Sequence, residues 1–332
     1  MSLVIGLVHD IRENPYFGAE CKGPHDVVSD LLKPNEVNRI VCTLKELGHE
    51  VEIIDGPKDL LKRIDSIREE VDLIFNKSRG IRDLERKIFV PAICKLYGLP
   101  FVGSSGYNMT LALHKYHTNR FLKGLGFRVP EAHIFHPGEN IFIGDLHYPV
   151  IVKPNNESSS LGITENSIFY ADKGIKEAIL KLQEDFDEPV VVEEYISGEE
   201  WKVAVVGNRP YSEAVGVVGA MRSGSTIDNS VQTREDIFYD RIEYYKPRDL
   251  GLMKKTLNSA KQIHDALECN DYSRCDFRLG RNKELVFMEV ATHPDVSECS
   301  SFVTATLQRF GDYTNLIDFL LRTSCQRQGL SY

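Results

Sequence analysis

Hydrophobic and polar positions follow two periods along this chain, and the switches between them outline its elements. Residues 3–8, Leu-Val-Ile-Gly-Leu-Val, form a short apolar run that reads as a buried strand. After Pro34-Asn35, the residues Val37, Ile40, Val41 and Leu44 recur at helical spacing until Leu47-Gly48 stops the pattern. A strand over 51–54, a helix over 60–70, a strand over 71–75, a helix over 83–97 and a two-residue strand at Phe101-Val102 follow. Strictly alternating strand and helix predict a parallel sheet with helices on its faces. That unit runs to residue 114.

Beyond it the style changes. A helix over 115–125 ends at Gly126, and short strands follow at 132–135, 150–153, 167–170 and 190–195, with an amphipathic helix over 171–184 among them. The last region repeats this mixture, with strands at 201–206, 213–218, 272–279 and 284–291 and helices at 252–268 and 313–322. Short strands joined by turns predict mainly antiparallel sheets, hence an α+β character. The chain divides as 1–114, 115–200 and 201–332.

Composition narrows the function classes. The 332 residues are 42% hydrophobic and 27% charged, an ordinary globular balance. A net charge of −9 argues against a general nucleic-acid binder but leaves room for a local basic pocket. Cysteines at 21, 42, 94, 269, 275, 299 and 325 form no CxxC pair, so reduced thiols and a cytoplasmic setting are expected. No apolar run approaches the roughly 18 residues of a membrane span.

Three segments carry chemistry. Val150-Ile151-Val152-Lys153-Pro154 delivers a lysine at the end of an apolar strand, followed by the hydroxyls and amides of 155–160 and by Gly162. A lysine is a point charge for phosphate, and a flexible polar loop can fold over a triphosphate and exclude water. Val190 to Gly198 places a strand edge where adenine can be read, with Ile196 as apolar cover, Glu193 for the amino group and Glu200 for ribose hydroxyls. Asp276 and Glu289 fall on two strands joined by the turn at 280–283, so their carboxylates can converge on a hard cation. Arg274 lies two residues from Asp276, hence on the same strand face. There it can stabilise negative charge on an acyl phosphate or a tetrahedral oxyanion. Taken singly, each segment also fits an ordinary loop, hairpin or surface acid pair; taken together they point to ATP.

From Gly98 to Ser301 the chain resembles the D-alanine–D-alanine ligase family of the ATP-grasp superfamily. Gly98-Leu99-Pro100-Phe101-Val102-Gly103-Ser104 is similar to that family's "GIPYTGS" and His114-Lys115-Tyr116-His117-Thr118 to its "DKxxTK". Residues 126–130 resemble "GlxtP", 148–162 "lPviVKPxxxGSSvG", 193–200 "ExxxxGxE", and Arg274-Cys275-Asp276 "RxD". The resemblance implies an N-terminal Rossmann-like (pre-ATP-grasp) domain and two α+β subdomains that clasp ATP. It implies a carboxylate activated as an acyl phosphate and then attacked by an amine. Carried across, Lys115 and Lys153 contact ATP phosphates under a mobile loop holding Ser159 and Ser160. Glu193, Ile196 and Glu200 hold adenosine, and Asp276 and Glu289 hold magnesium, with manganese as an alternative. Arg274 polarises the carbonyl, and Ser300 stands near the second substrate's carboxylate. A homodimer through the first domain and small-molecule acid and amine substrates are implied as well, with no nucleic-acid or membrane partner.

The departures fall in the substrate half. The family's "ExNtxPG" reads Glu289-Val290-Ala291-Thr292-His293-Pro294-Asp295 here. Ala291 removes an asparagine ligand, leaving Asp295 or His293 as substitutes, and Asp295 replaces a glycine beside the acceptor. A carboxylate there disfavours D-alanine as acceptor. The first-domain "GGxSxEhxvS" loop is absent, replaced by a polar segment with His25 and Asp26, and residues 76–82 replace "HGxxGEDG". Residues 239–246 are similar to the "FYDYeaKY" lid, but its lysine position reads Tyr244, with Lys246 as a stand-in. Arg79, Arg82, Arg222 and Arg241 are candidate anchors for an acidic substrate, or surface ion pairs. The expectation is a ligase with an acceptor other than D-alanine; the alternative is an ATP-binding protein that has lost ligase activity.

Overall fold

The computed structural model of the chain describes residues 2–10, 31–80, 84–142, 144 and 146–332. His25, Asp26, Arg82 and Cys21 lie outside them.

The alternating first region forms a parallel sheet, in the order β2-β1-β3-β4. Its strands are β1 (Val4–His9), β2 (Glu50–Asp55), β3 (Leu73–Asn76) and β4 (Phe101–Val102). The helix Pro34–Glu46 buries Val37, Ile40 and Leu44, the stripe its spacing predicts. The helix expected over 60–70 is broken at Arg63 into Gly56–Lys62 and Ile64–Glu70. Arg63 reaches back to the Ile53 carbonyl (3.2 Å) and to Glu52, a tertiary tether that no helical period encodes.

A four-stranded antiparallel sheet, β5-β8-β6-β7, comes next. It contains β5 (Ala132–Phe135), β6 (Val150–Pro154), β7 (Ile168–Phe169) and β8 (Val190–Glu194). The helix Ile175–Phe186 covers its outer face through Ile175 and Ile179. A third sheet runs β11-β10-β9-β13-β14, with β12 paired to β10. Its strands are β9 (Glu200–Val206), β10 (Glu213–Arg222), β11 (Ser225–Thr226), β12 (Ile242–Tyr245), β13 (Tyr272–Leu279) and β14 (Leu285–Ala291). The helix Leu250–Ala266 packs beneath it through Ala260 and Ile263.

Three helices arise where the periodicity was too short to show them: Gly106–Leu113, Arg234–Phe238 and Ser301–Phe310. Each starts after a Ser or Thr whose hydroxyl accepts a backbone N–H, namely Ser105, Thr233 and Ser300. Ser301–Phe310 packs on β9 and β10, and the final helix Tyr313–Gln328 lies between it and the first sheet. There Phe302, Leu316, Leu320 and Leu321 share one core with Ile5, Leu7, Leu44 and Phe75. Among the described residues no helix is long and apolar enough to cross a membrane.

Candidate active site

The two antiparallel sheets face each other across a cleft of about 360 Å³. Strand parity explains what points into it. On β6, Val150 and Val152 enter the core while Ile151 and Lys153 line the cleft. On β13, Cys275, Phe277 and Leu279 are buried beneath while Arg274, Asp276 and Arg278 face up. On β9, Trp201 and Val203 go down while Glu200 and Lys202 go up. The cleft is lined by Lys115, Lys153, Ser159, Ser160, Glu193, Ile196, Glu200, Arg274, Asp276, Glu289, Asp295 and Ser300, all expected from sequence.

At the base of the β5-β8-β6-β7 sheet, Lys153 Nζ lies 2.5 Å from Glu193 Oε1. Glu193 is fully buried, and its Oε2 accepts no hydrogen bond among the described residues. Lys115 opens the helix Lys115–Gly124, whose cap is the His114 ring: its Nδ1 accepts from His117 N at 3.2 Å. Burial first, then the neighbouring His117, lowers the His114 pKa to about 4, so the ring stays neutral and able to accept. Lys115 Nζ donates to the Glu157 carbonyl. Burial holds the Lys115 pKa below its ordinary value; Glu289 opposes this and Lys153 reinforces it. A desolvated ammonium of this kind binds an anion more strongly than one in water.

The loop after β6 is fixed at both ends. Glu157 pairs with Arg86 at 3.0 Å, both buried, and Lys87 Nζ reaches Ser158 Oγ at 3.2 Å. Ser159 and Ser160 adopt left-handed backbone (φ 55° and 57°). Gly162 serves close approach as well as turning: a Cβ there would lie 2.5 Å from Pro154 Cγ, at φ +74°. Gly198, between β8 and β9, passes so near the Leu279 carbonyl that a Cβ would stand 1.7 Å from its oxygen.

On the third sheet, Lys202, Asp276 and Glu289 occupy one rung across β9, β13 and β14. Two carboxylates directly opposite would repel; cations hold them. Arg274 grips Asp276 through Nε (2.7 Å) and Nη2 (2.8 Å) and lies 3.7 Å from Glu289 Oε1. Lys202 Nζ sits 2.9 Å from Asp276 Oδ2 and 2.7 Å from Glu200 Oε1. Burial pulls the Lys202 pKa down, but Asp276 and Glu200 reverse this and raise it overall. Arg278 binds the Ile196 carbonyl at 2.9 Å and Glu200 Oε2 at 3.5 Å, tying the strand edge to the third sheet. Sequence reasoning passed over Lys202 and Arg278, although parity with Glu200 and with Asp276 puts each on the cleft face.

The magnesium expected on Asp276 and Glu289 meets this geometry poorly. Asp276 already accepts three charged hydrogen bonds out of about four lone-pair directions. Ala291, opposite Arg274, offers no donor atom. Among the described residues no group of three or more His, Cys, Asp or Glu side chains could hold a metal. Asp276 can therefore offer a metal one lone-pair direction at most, and Glu289, 3.7 Å from Arg274, is the more open carboxylate of the two. Asp295 and His293 are engaged elsewhere: Asp295 with Ser297 N (3.0 Å), Ser297 Oγ (2.7 Å) and Arg79 (3.8 Å), and His293 Nε2 with the Asn76 carbonyl (2.9 Å).

Of the other candidates, Ser300 caps the helix Ser301–Phe310 and donates to the Asp295 carbonyl at 2.9 Å. Arg79 lines the cleft, whereas Arg222 pairs with Asp236 (2.7 Å) and Glu165 (2.9 Å), and Arg241 lies 3.8 Å from Glu235. Lys246 borders a separate hollow with Glu199 and Asp228, so it does not stand in for the lid lysine.

A parallel sheet joined to two antiparallel sheets around such a cleft defines an ATP-grasp protein. The family described as "D-ala D-ala ligase C-terminus" matches residues 138–322, and the chain belongs to this D-alanine–D-alanine ligase family. It is 28% identical to a D-alanine–D-alanine ligase of Halalkalibacterium halodurans, over 87% of this chain and 92% of that one. It is 26% identical to the uncharacterised protein y4sG of Sinorhizobium fredii, over 87% of each. The fold is similar to a D-alanine–D-alanine ligase from Bacillus anthracis complexed with ATP (TM-score 0.76, 18% identity, 99% of each chain). It is also similar to the VanG D-Ala:D-Ser ligase of Enterococcus faecalis (TM-score 0.74, 20% identity, 98% and 100%).

Proposed function

We propose that the protein is an ATP-dependent ligase joining a carboxylate to an amine, with an acceptor other than D-alanine. The observation that carries this reading is the convergence of Lys115, Lys153 and Arg274 on one cleft between two antiparallel sheets. Membership of the ligase family supports it.

The reaction takes two steps. A substrate carboxylate oxygen attacks the γ-phosphorus of ATP, ADP leaves, and an acyl phosphate forms. The amine nitrogen then attacks the acyl carbon, phosphate leaves with its bonding electrons, and the nitrogen loses a proton to give the amide. Arg274, already oriented by Asp276, stands ready for the charge that develops on the acyl oxygen.

The Lys153–Glu193 pair revises the nucleotide's orientation. One ion pair cannot serve both the base and the terminal phosphates, which the ribose separates. We place the pair at the base and first phosphate, where the unpaired Glu193 Oε2 accepts the adenine amino group. Lys115, Ser159 and Ser160 then serve the outer phosphates, and Glu200 the ribose side. Division of the chain at 114/115 and 200/201 belongs to the same reading. Asp295 and Arg79, at the rim where the acceptor would enter, favour an acceptor unlike D-alanine.

Ala291 favours a second reading, a nucleotide-binding protein without turnover. Incubation with ATP, magnesium and a mixed pool of acids and amines, read by ADP release and product mass spectrometry, separates the two. An amide product with stoichiometric ADP is expected; nucleotide binding with no ADP release from any pool removes the ligase.

A further inference from the structure

The rung Lys202–Asp276–Glu289 puts an ammonium where a cation-binding carboxylate would otherwise be free. Lys202 is buried, and its nitrogen is shared by Glu200 (2.7 Å) and Asp276 (2.9 Å). Arg274 and Arg278 flank the same acids, so three cations face the carboxylates of Glu200, Asp276 and Glu289. This floor is charge-balanced without any metal. The two positions beside it are depleted in a matching way. Ala291, opposite Arg274 on the cleft face, has no ligating atom, and Ala204 flanks Arg274 on its other side. Tyr244 lines the cleft beside this floor, and Lys246 lies in a different hollow.

We infer that Lys202 is the resident cation of the phosphate end, its ammonium standing where a second protein-held divalent ion would otherwise sit. The inference rests on the nucleotide reading given above and sharpens it. Two of the three ammonium donors are held by Glu200 and Asp276, and the third is left for a phosphate oxygen of the nucleotide. A lysine meets phosphate as a compact point charge, so it can take over the role of a small ion without needing an ion's coordination shell. Asp276 thereby serves to place Lys202 and Arg274. The divalent ion that accompanies the nucleotide finds Glu289 as its one protein carboxylate. Covalent attachment makes the second charge permanent, so it does not depend on free metal concentration.

The test counts ions. The native protein is saturated with a non-hydrolysable ATP analogue whose binding is followed by calorimetry, and bound manganese is titrated by electron paramagnetic resonance. One manganese per site is expected. In Lys202→Thr/Ala291→Asn, which vacates the ammonium position and restores a ligating amide, two are expected. Lys202→Met alone should weaken analogue binding by about tenfold, the loss of one charge-assisted contact. Circular dichroism checks that each variant is folded, and the native count stands whether or not a variant folds. Two ions on the native protein with the analogue bound overturn the inference and leave the nucleotide site intact. A folded double variant that still binds one ion overturns it as well. Failure of the native protein to bind the analogue overturns both the inference and the nucleotide reading beneath it.

Discussion

Arg274 shows how a single residue is committed before substrate arrives. Its guanidinium is held in a two-point grip by Asp276, so its direction is set by the protein. Groups of this kind act by preorganisation, and removing one costs about 10²–10³ in kcat. Arg274→Met should therefore lower kcat by that factor while the KM for ATP changes little; steady-state kinetics with both substrates varied checks it, and an unaltered kcat would take Arg274 out of the chemistry. Glu188 shows the opposite situation, a buried acid whose proton is hard to lose. Burial, then the neighbouring Glu157 charge, raises its pKa to about 7, while the Asn156 N–H (2.9 Å) partly offsets them. The folded state then keeps a proton that the unfolded chain releases from about pH 4.5 upward. Stability must fall as pH rises from about 4.5 through about 7, by about 3 kcal/mol for this group. Glu188→Gln keeps the acceptor for Asn156 and removes the titration. Thermal midpoints of the two proteins should coincide near pH 4.5 and separate at pH 7.5, with the variant the more stable; parallel curves would refute the assignment.

At the scale of elements, what was legible depended on period. The β13 parity of Arg274 and Asp276 against Cys275 and Phe277 was readable from alternation alone, because a strand has no other way to sort its side chains. The same rule holds Lys202 beside Glu200 and Arg278 beside Asp276, both outside the motifs that carry the family resemblance. The helix Arg234–Phe238 has too few turns for a hydrophobic stripe, so only its Thr233 cap marked it. In the loop after β6, a Cβ on Gly162 would press on Pro154 and Phe186. Gly162→Ala meets both a positive φ and a contact at 2.5 Å, and should cost roughly 1–3 kcal/mol with weakened nucleotide binding. Chemical denaturation and analogue titration measure the two effects; an unchanged midpoint would mean that the loop shifts freely.

At the scale of the whole molecule, the first sheet does not bury its core alone. Leu320, on the final helix, is fully buried against a cluster that contains Ile5, Leu7 and Phe75. Leu320→Ala should lose about 2–5 kcal/mol. Because the two ends of the chain share that core, far-ultraviolet and tyrosine signals should shift to one lower midpoint; separate transitions for the two regions would show that the shared core is not cooperative.

By itself the sequence determined most of the elements, their faces and most of the chemistry offered to the cleft, because strand and helix periods are local consequences of backbone geometry and many of the site residues lie on strands. Only the tertiary structure decided which charges meet. That Lys153 closes on Glu193, that Lys202 reaches Asp276, and that Asp295 meets Arg79 all follow from register and packing between segments tens of residues or more apart. Charge pairing across such distances is set by how sheets stack, and no period along the chain carries it.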